Sequence, residues 1–191
     1  MKLLARVLAV AATAALLVPS GAAEARAGAS VTVADMAFSP GAVSVGLGQT
    51  VTWSFQDSVA HTSTSDQGFW DSGTKTNGTT YARTFTSAGT FAYHCSIHAM
   101  MRGTVKVPLA SKGTASKGYT LTWATVKGSN GIAYDVQTRL GKGTWVSLKA
   151  GTTATHAKFN PAKAGKYSVR ARTAKGGAKS GWSPTVTVTI S

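Results

Sequence analysis

The sequence predicts an all-β chain with two sandwich domains in series. Three observations carry this. Thr, Val, Gly and Ser are abundant, and beyond residues 1–27 no segment repeats its apolar positions every 3.6 residues. Short alternating apolar segments recur at close spacing, separated by Gly and Pro turn signals. The charge then breaks sharply near residue 110. Residues 28–110 set Lys75, Arg83, Arg102 and Lys106 against Asp35, Asp57, Asp66 and Asp71, for a net charge of zero. Residues 111–191 hold thirteen Lys or Arg and only Asp135, for a net +12.

Residues 1–27 have the form of a secretory signal. Lys2 and Arg6 precede an uncharged apolar run over 7–18, and Ala25-Arg26-Ala27 places small residues where an A-x-A cleavage site needs them. The run is short for a bilayer span. A retained anchor is the alternative reading. The mature chain is expected to begin near Gly28, to carry no transmembrane segment, and to be exported to a periplasm, cell envelope or extracellular space.

In the first domain, over 28–109, strands are predicted at 30–33, 43–45, 50–55, 81–85, 90–95 and 102–107. Pro40-Gly41 and Ala88-Gly89 mark turns, and 56–80 reads as loop. Residues 110–117 read as a linker, or as a shortened first strand of the second domain. A second domain is predicted over 118–191, with strands at 120–123, 133–137, 145–148, 155–159, 167–172 and 184–190.

The chain has one cysteine, Cys95, so no internal disulfide is available to an exported fold. A lone exported thiol is exposed to oxidation unless something occupies it. Cys95 ends a predicted strand and Arg102 opens the next. The turn between them carries His98 at +3 and Met101 at +6, so one hairpin presents a thiolate, an imidazole and a thioether. A thiolate with imidazoles and a weak axial thioether is the donor set of a type 1 copper site. His61, in the loop after the 50–55 strand, can supply the second imidazole from the same end of a sandwich. Taken singly these residues have ordinary readings: Cys95 as a small hydrophobe, Met101 as core filler, His61 as a loop residue. Their order, spacing and strand context together point to copper. Met100 is the alternative axial donor. His94 alternates with Cys95 on one strand and should face away from the site. Ser96 and Thr62, each following a ligand, are candidates to bind the Cys95 sulfur or to tie the two loops.

The pieces Phe38-Ser39-Pro40, Gly48-Gln49-Thr50-Val51-Thr52-Trp53, His61-Thr62, Phe69-Trp70-Asp71-Ser72-Gly73, Phe91-Ala92-Tyr93 and the run from Cys95 to Met101 resemble a cupredoxin of the plastocyanin and amicyanin type. The resemblance implies a Greek-key β-sandwich with one type 1 copper site held by His61, Cys95, His98 and Met101. It also implies a redox partner protein docking at an apolar patch around His98, formed by Ile97, Ala99 and Met100. Thr62 departs from the pattern, since several relatives place Asn there to bridge the ligand loops. The second domain resembles an immunoglobulin-like fibronectin type III module, through Trp123, Tyr134, the 167–172 strand and Gly181-Trp182-Ser183-Pro184.

The function these readings imply is one-electron transport. The alternative is a non-redox copper-binding or delivery module held at an anionic envelope by the basic domain. Copper oxidases and reductases need further ligands, often His-x-His pairs, and four His without such a pair do not supply them. The +12 domain suggests an anionic wall polymer or polysaccharide as partner. No nucleic-acid motif accompanies the charge, so no specific nucleic acid is expected.

Overall fold

A computed structural model describes residues 28–191. The signal assigned to 1–27 lies outside the described residues. The first domain is built from β1 (Ala29–Ala34), β2 (Ala37–Ser39), β3 (Ala42–Ser44), β4 (Gln49–Phe55), β5 (Thr64–Ser65), β6 (Thr80–Phe85), β7 (Gly89–His94) and β8 (Arg102–Val107). They form two four-stranded sheets, ordered β2-β1-β4-β6 and β3-β8-β7-β5. Strand β1 runs parallel to β4, and β3 parallel to β8; the other pairs are antiparallel.

Strict alternation explains which face is buried. In β4 Val51, Trp53 and Phe55 point inward; in β7 Phe91 and Tyr93 do, and Cys95 continues that face just beyond the strand. Trp53 lies at the centre, with Tyr93 edge-on at 5.4 Å, Tyr81 at 5.7 Å and Trp70 at 6.0 Å between ring centroids. Gly103 on β8 allows Tyr93 to close against its neighbour, since a Cβ there would collide with the Tyr93 ring. Strands β2 and β5 were not foreseen. Each is only two or three residues long, too short for an alternation pattern to register.

The second domain comprises β9 (Ala110–Thr114), β10 (Gly118–Thr122), β11 (Ile132–Leu140), β12 (Val146–Thr152), β13 (His156–Phe159), β14 (Gly165–Lys175), β15 (Ala178–Lys179) and β16 (Val186–Ile190). One sheet is β13-β10-β9; the other is β12-β11-β14-β15, with β16 also pairing β14. Their inner faces enclose Leu121, Trp123, Tyr134, Val136, Phe159, Val169 and Val188. Of the two readings of residues 110–117, the structure shows the short first strand and not the linker. Residues 110–114 form β9, hydrogen-bonded to β10 from Gly118↔Thr114 to Thr122↔Ala110. All five of its residues are exposed, so the strand carries no buried alternation to read.

The domains meet through backbone pairing. The turn between β6 and β7 joins the segment after β10, with Ala88 N–H donating to Trp123 C=O at 2.7 Å and Thr125 N–H to Thr86 C=O at 2.8 Å. Thr90 and Gly181 exchange both backbone hydrogen bonds, and Thr90 Oγ1 donates to Trp182 C=O at 2.7 Å. Gly89 is needed here, since a Cβ would lie 2.5 Å from Ser180 Oγ. This junction is at the Gly89 end of β7. Cys95 follows the other end, so the second domain leaves that pole uncovered.

The outward face of the β11–β14 sheet carries a stack of alternating cations and indoles. Trp145 lies between Arg139 at 4.7 Å and Arg170 at 4.0 Å; Trp182 lies between Arg170 at 4.5 Å and Arg172 at 4.4 Å. Asp135 takes both Arg172 and Lys179, and its carboxyl is held below the usual range. Burial works against this, but the Gly151 N–H, Arg172 and Lys179 outweigh it.

Candidate metal centre

Three donors converge where β7 ends. Cys95 Sγ lies 3.7 Å from His61 Nδ1 and 3.7 Å from His98 Nδ1, and the two Nδ1 atoms are 3.1 Å apart. The point equidistant from all three is about 2.0 Å from each, at the metal–nitrogen bond length of tetrahedral sites and slightly short of a metal–sulfur bond. Two imidazole nitrogens facing each other and a thiol cannot satisfy one another fully with protons, and a shared cation can. The residues present thus fit a copper ion, with a soft sulfur and two imidazoles as its donors.

Each donor is placed by local structure. The turn after Cys95 closes through Met101 N–H to His98 C=O at 3.0 Å and Cys95 N–H to Met101 C=O at 3.2 Å, which folds His98 back beside Cys95. His61 is fully buried, and its backbone exchanges both hydrogen bonds with Lys75. Its ring is oriented by Asp57, whose Oδ2 lies 3.1 Å from Nε2. A metal held at the site would take the tautomer with the proton on Nε2, toward Asp57, and Nδ1 bare, the arrangement that metal-binding histidines adopt with a carboxylate. Asp57 is held below its ordinary range by the Met36 N–H first and the His61 ring second. His98 is only half-buried and forms the way to the surface.

The sulfur is itself solvated by protein. Thr62 N–H points at Sγ from 3.3 Å. Burial opposes ionisation of the thiol, but the N–H of Thr62, the His61 ring and the N–H groups of Ile97 and His98 outweigh it, lowering Cys95 to about 6.

The bridge left in question by Thr62 is present. Thr62 Oγ1 accepts the Ser96 N–H at 2.8 Å, so a threonine joins the two ligand loops. Thr62 Oγ1 lies 2.9 Å from Thr64 Oγ1, Ser96 Oγ donates to Thr64 Oγ1 at 3.0 Å, and Thr64 Oγ1 donates to Asp71 Oδ1 at 3.0 Å. Thr64 and Asp57 were not singled out from the sequence, and Asp71 was given no role of its own within the Phe69-to-Gly73 piece, because their partners are set by the fold.

Met101 is buried at 2% exposure beside the turn, whereas Met100 is 82% exposed. Ile97 and Met100 stand exposed as expected, and Met36 and Val59 join them as the other exposed large apolar residues of this domain. Met36 belongs to the same pole, since its N–H donates to Asp57. His94 faces away from the cluster, as its strand position requires, and pairs with Asp66 at 2.6 Å.

Two four-stranded sheets closing over an aromatic core, with a thiolate and two imidazoles converging at one pole, define a copper-binding cupredoxin domain. Residues 25–108 match the family model for copper binding proteins of the plastocyanin/azurin family, and this part of the chain is a domain of that family. A reduced Cu(I) amicyanin variant is similar at 32% identity, covering 44% of this chain and 84% of that one, with a TM-score of 0.41. A second reduced amicyanin variant is 32% identical, covering 42% and 81%, at 0.40. The novel purple cupredoxin from Nitrosopumilus maritimus is 26% identical, covering 41% of this chain and 98% of that one, at 0.40. No curated protein matches the chain.

Proposed function

We propose that this chain is an exported type 1 copper protein that carries single electrons, with His61, Cys95 and His98 as equatorial ligands and Met101 as the weak axial one. The observation that carries this reading is the triangle of Sγ and two Nδ1 atoms with room for one ion at its centre. The bound copper would supply the one-electron redox couple. The protein's part is to hold the donors still. Asp57 fixes the His61 tautomer, Thr62 pins Ser96 and caps the sulfur, and the buried wall formed by His61, Cys95 and Met101 keeps water out. Donors fixed in advance need little movement when the charge changes, so the reorganisation barrier is small. A delivery module would need a mobile, open site, and a fully buried His61 argues against that. Enzymatic redox chemistry would need further ligands, and among the described residues these three form the one His/Cys group able to hold a metal.

Half-exposed His98, ringed by Ile97, Ala99 and Met100, suits docking of a redox partner protein at the pole away from the second domain. The second domain fits a fibronectin type III-like module. Its Trp123 is fully buried, and Tyr167 OH donates to Lys163 C=O at 2.8 Å as a tyrosine corner does. Its excess charge suits an anionic wall polymer or polysaccharide. Among the described residues no helix is long and apolar enough to cross a membrane. The test is the visible spectrum of the copper-loaded chain: an intense thiolate-to-copper band is expected, and Cys95→Ser should abolish it. A wild-type chain that takes up copper without such a band would refute the proposal.

A further inference from the structure

The outward face of the β11–β14 sheet gathers cations in a row. Arg139, Arg170 and Arg172 leave β11 and β14 on this side by strand alternation. Lys149 and Lys179 flank them, lining a shallow depression together with Arg172 and Trp182. Asp135 is the one acid of the second domain, and it is committed to Arg172 and Lys179. Arg139 and Arg170 have no acidic partner among the described residues.

The guanidiniums are held in place. Gln137 Oε1 accepts from Arg170 Nε at 3.1 Å and from Arg170 Nη2 at 2.7 Å, and Asp135 Oδ2 accepts from Arg172 Nε at 2.9 Å. The Arg172 side chain is 28% exposed and that of Lys179 46%, so both reach solvent. Arg170 and Arg172 are two residues apart on β14 and leave the sheet about 7 Å apart. A brace accounts for part of this, since cations stacked on indoles stiffen a sheet face. It does not account for three guanidiniums gathered around two rings with a single acid at one end. Burial first, and then the charges of Arg139 and Arg172, loosen the hold of Arg170 on its proton, as crowding without counter-ions does.

What the face lacks selects its partner. Trp145 and Trp182 each lie between two guanidiniums, so neither ring is open to stack a nucleic-acid base. The exposed large apolar residues of this domain lie elsewhere: Val126 lines the interdomain cavity, and Val146 pairs with buried Thr138. A bilayer or a protein surface would therefore find nothing apolar to bury here. What the face offers is charge in a row, bordered by the exposed hydroxyls of Ser147, Thr187 and Thr189.

We infer that this row of stacked Arg and Trp is the docking site for a linear acidic polysaccharide. Its carboxylates pair with the outward edges of the guanidiniums and with Lys149 and Lys179, while its hydroxyls meet the Ser and Thr side chains. The inference rests on the reading of the basic domain as a binder of anionic polymer, and assigns that binding to one face.

The experiment titrates the full chain with polygalacturonate, neutral dextran, oligo-dT and vesicles containing phosphatidylglycerol, by calorimetry and by NMR of the indole N–H groups. Polygalacturonate should bind and move the Trp145 and Trp182 signals while those of buried Trp53 and Trp123 stay fixed. Dextran should not bind, and oligo-dT and vesicles should bind at least about threefold more weakly per anionic group. Arg172→Gln should weaken polygalacturonate by about fivefold or more. Because that change also loosens the stack, the exposed pair Lys149→Gln with Lys179→Gln gives a second test, with about tenfold expected. Lys112→Gln with Lys158→Gln removes the same charge from the opposite sheet and should cost less than about twofold. Equal losses from the two lysine pairs, unmoved Trp145 and Trp182 signals, or DNA or vesicles binding as well as polygalacturonate would overturn the inference and leave the polymer reading standing. Failure of the chain to bind any of the polyanions would overturn both.

Discussion

The backbone N–H of Ser96 donates to the side chain of Thr62 at 2.8 Å, and this one bond locks the loop carrying His61 to the turn carrying Cys95 and His98. The Thr62 backbone meanwhile points its own N–H at the Cys95 sulfur. One residue thus sets both the spacing of the ligand loops and the electron density on the thiolate.

Replacing Thr62 with Val keeps the shape and removes the acceptor. The Ser96 N–H is then unpaired, and stability should fall by about 1–3 kcal/mol. The copper band should broaden or shift as the loops separate. Thr62→Ser should restore both. Chemical denaturation and the visible spectrum of the two variants check this; a Val variant with parental stability and spectrum would count against the bridge.

Asp57→Asn separates charge from orientation. An amide oxygen can still accept the His61 Nε2–H, but the negative charge beside the ring is gone. The reduced state, with one positive charge fewer at the site, should gain relative to the oxidised state, so the potential should rise. Copper affinity should fall by roughly 10–100-fold, the usual cost of losing a carboxylate behind a ligand histidine. Voltammetry and competition with a copper chelator read the two effects separately.

Burial distinguishes the two methionines. Met101→Leu preserves volume and removes the thioether, so the fold should survive with a loss under about 1.5 kcal/mol while the potential rises. Met100→Ala removes an exposed side chain and should leave stability and potential unchanged. Equal responses from the two would mean that neither is axial.

Tyr93 predicts an alkaline transition. Burial pushes its hydroxyl up to about 12, so the unfolded chain releases this proton near 10 and the folded chain does not. The stability that Tyr93 contributes is fully present below pH 10 and lost as the pH rises from 10 to 12, by roughly 2–3 kcal/mol. Tyr93→Phe should flatten the pH dependence of stability across that window. Denaturant midpoints at pH 9 and 11 for the parent and the variant provide the comparison.

How much of this was legible beforehand follows from what is local. Cys95, His98 and Met101 occupy one turn, so their chemistry is written contiguously, and β4 and β7 announce themselves by alternation over six or seven residues. His61 was reachable because it sits in the loop that follows such a strand. Asp57, Thr64 and Asp71 act through partners brought near by folding, and an acid or hydroxyl in a polar loop carries no mark of that. Strand β9 stayed ambiguous between linker and strand for a different reason: an exposed edge of Ala, Ser, Lys, Gly and Thr has the composition of a linker. The pairing of Thr90 with Gly181, which joins the two domains, depends on backbone groups alone and leaves no side-chain trace.

The central claim is that His61, Cys95 and His98 hold one copper ion in a geometry fixed by the fold. X-ray absorption of the copper-loaded chain, measured in both oxidation states, tests it most directly. The account predicts one short sulfur and two nitrogen neighbours in each state, with distances nearly unchanged on reduction. A copper ion lacking the sulfur, or one whose neighbours change in number on reduction, would contradict it.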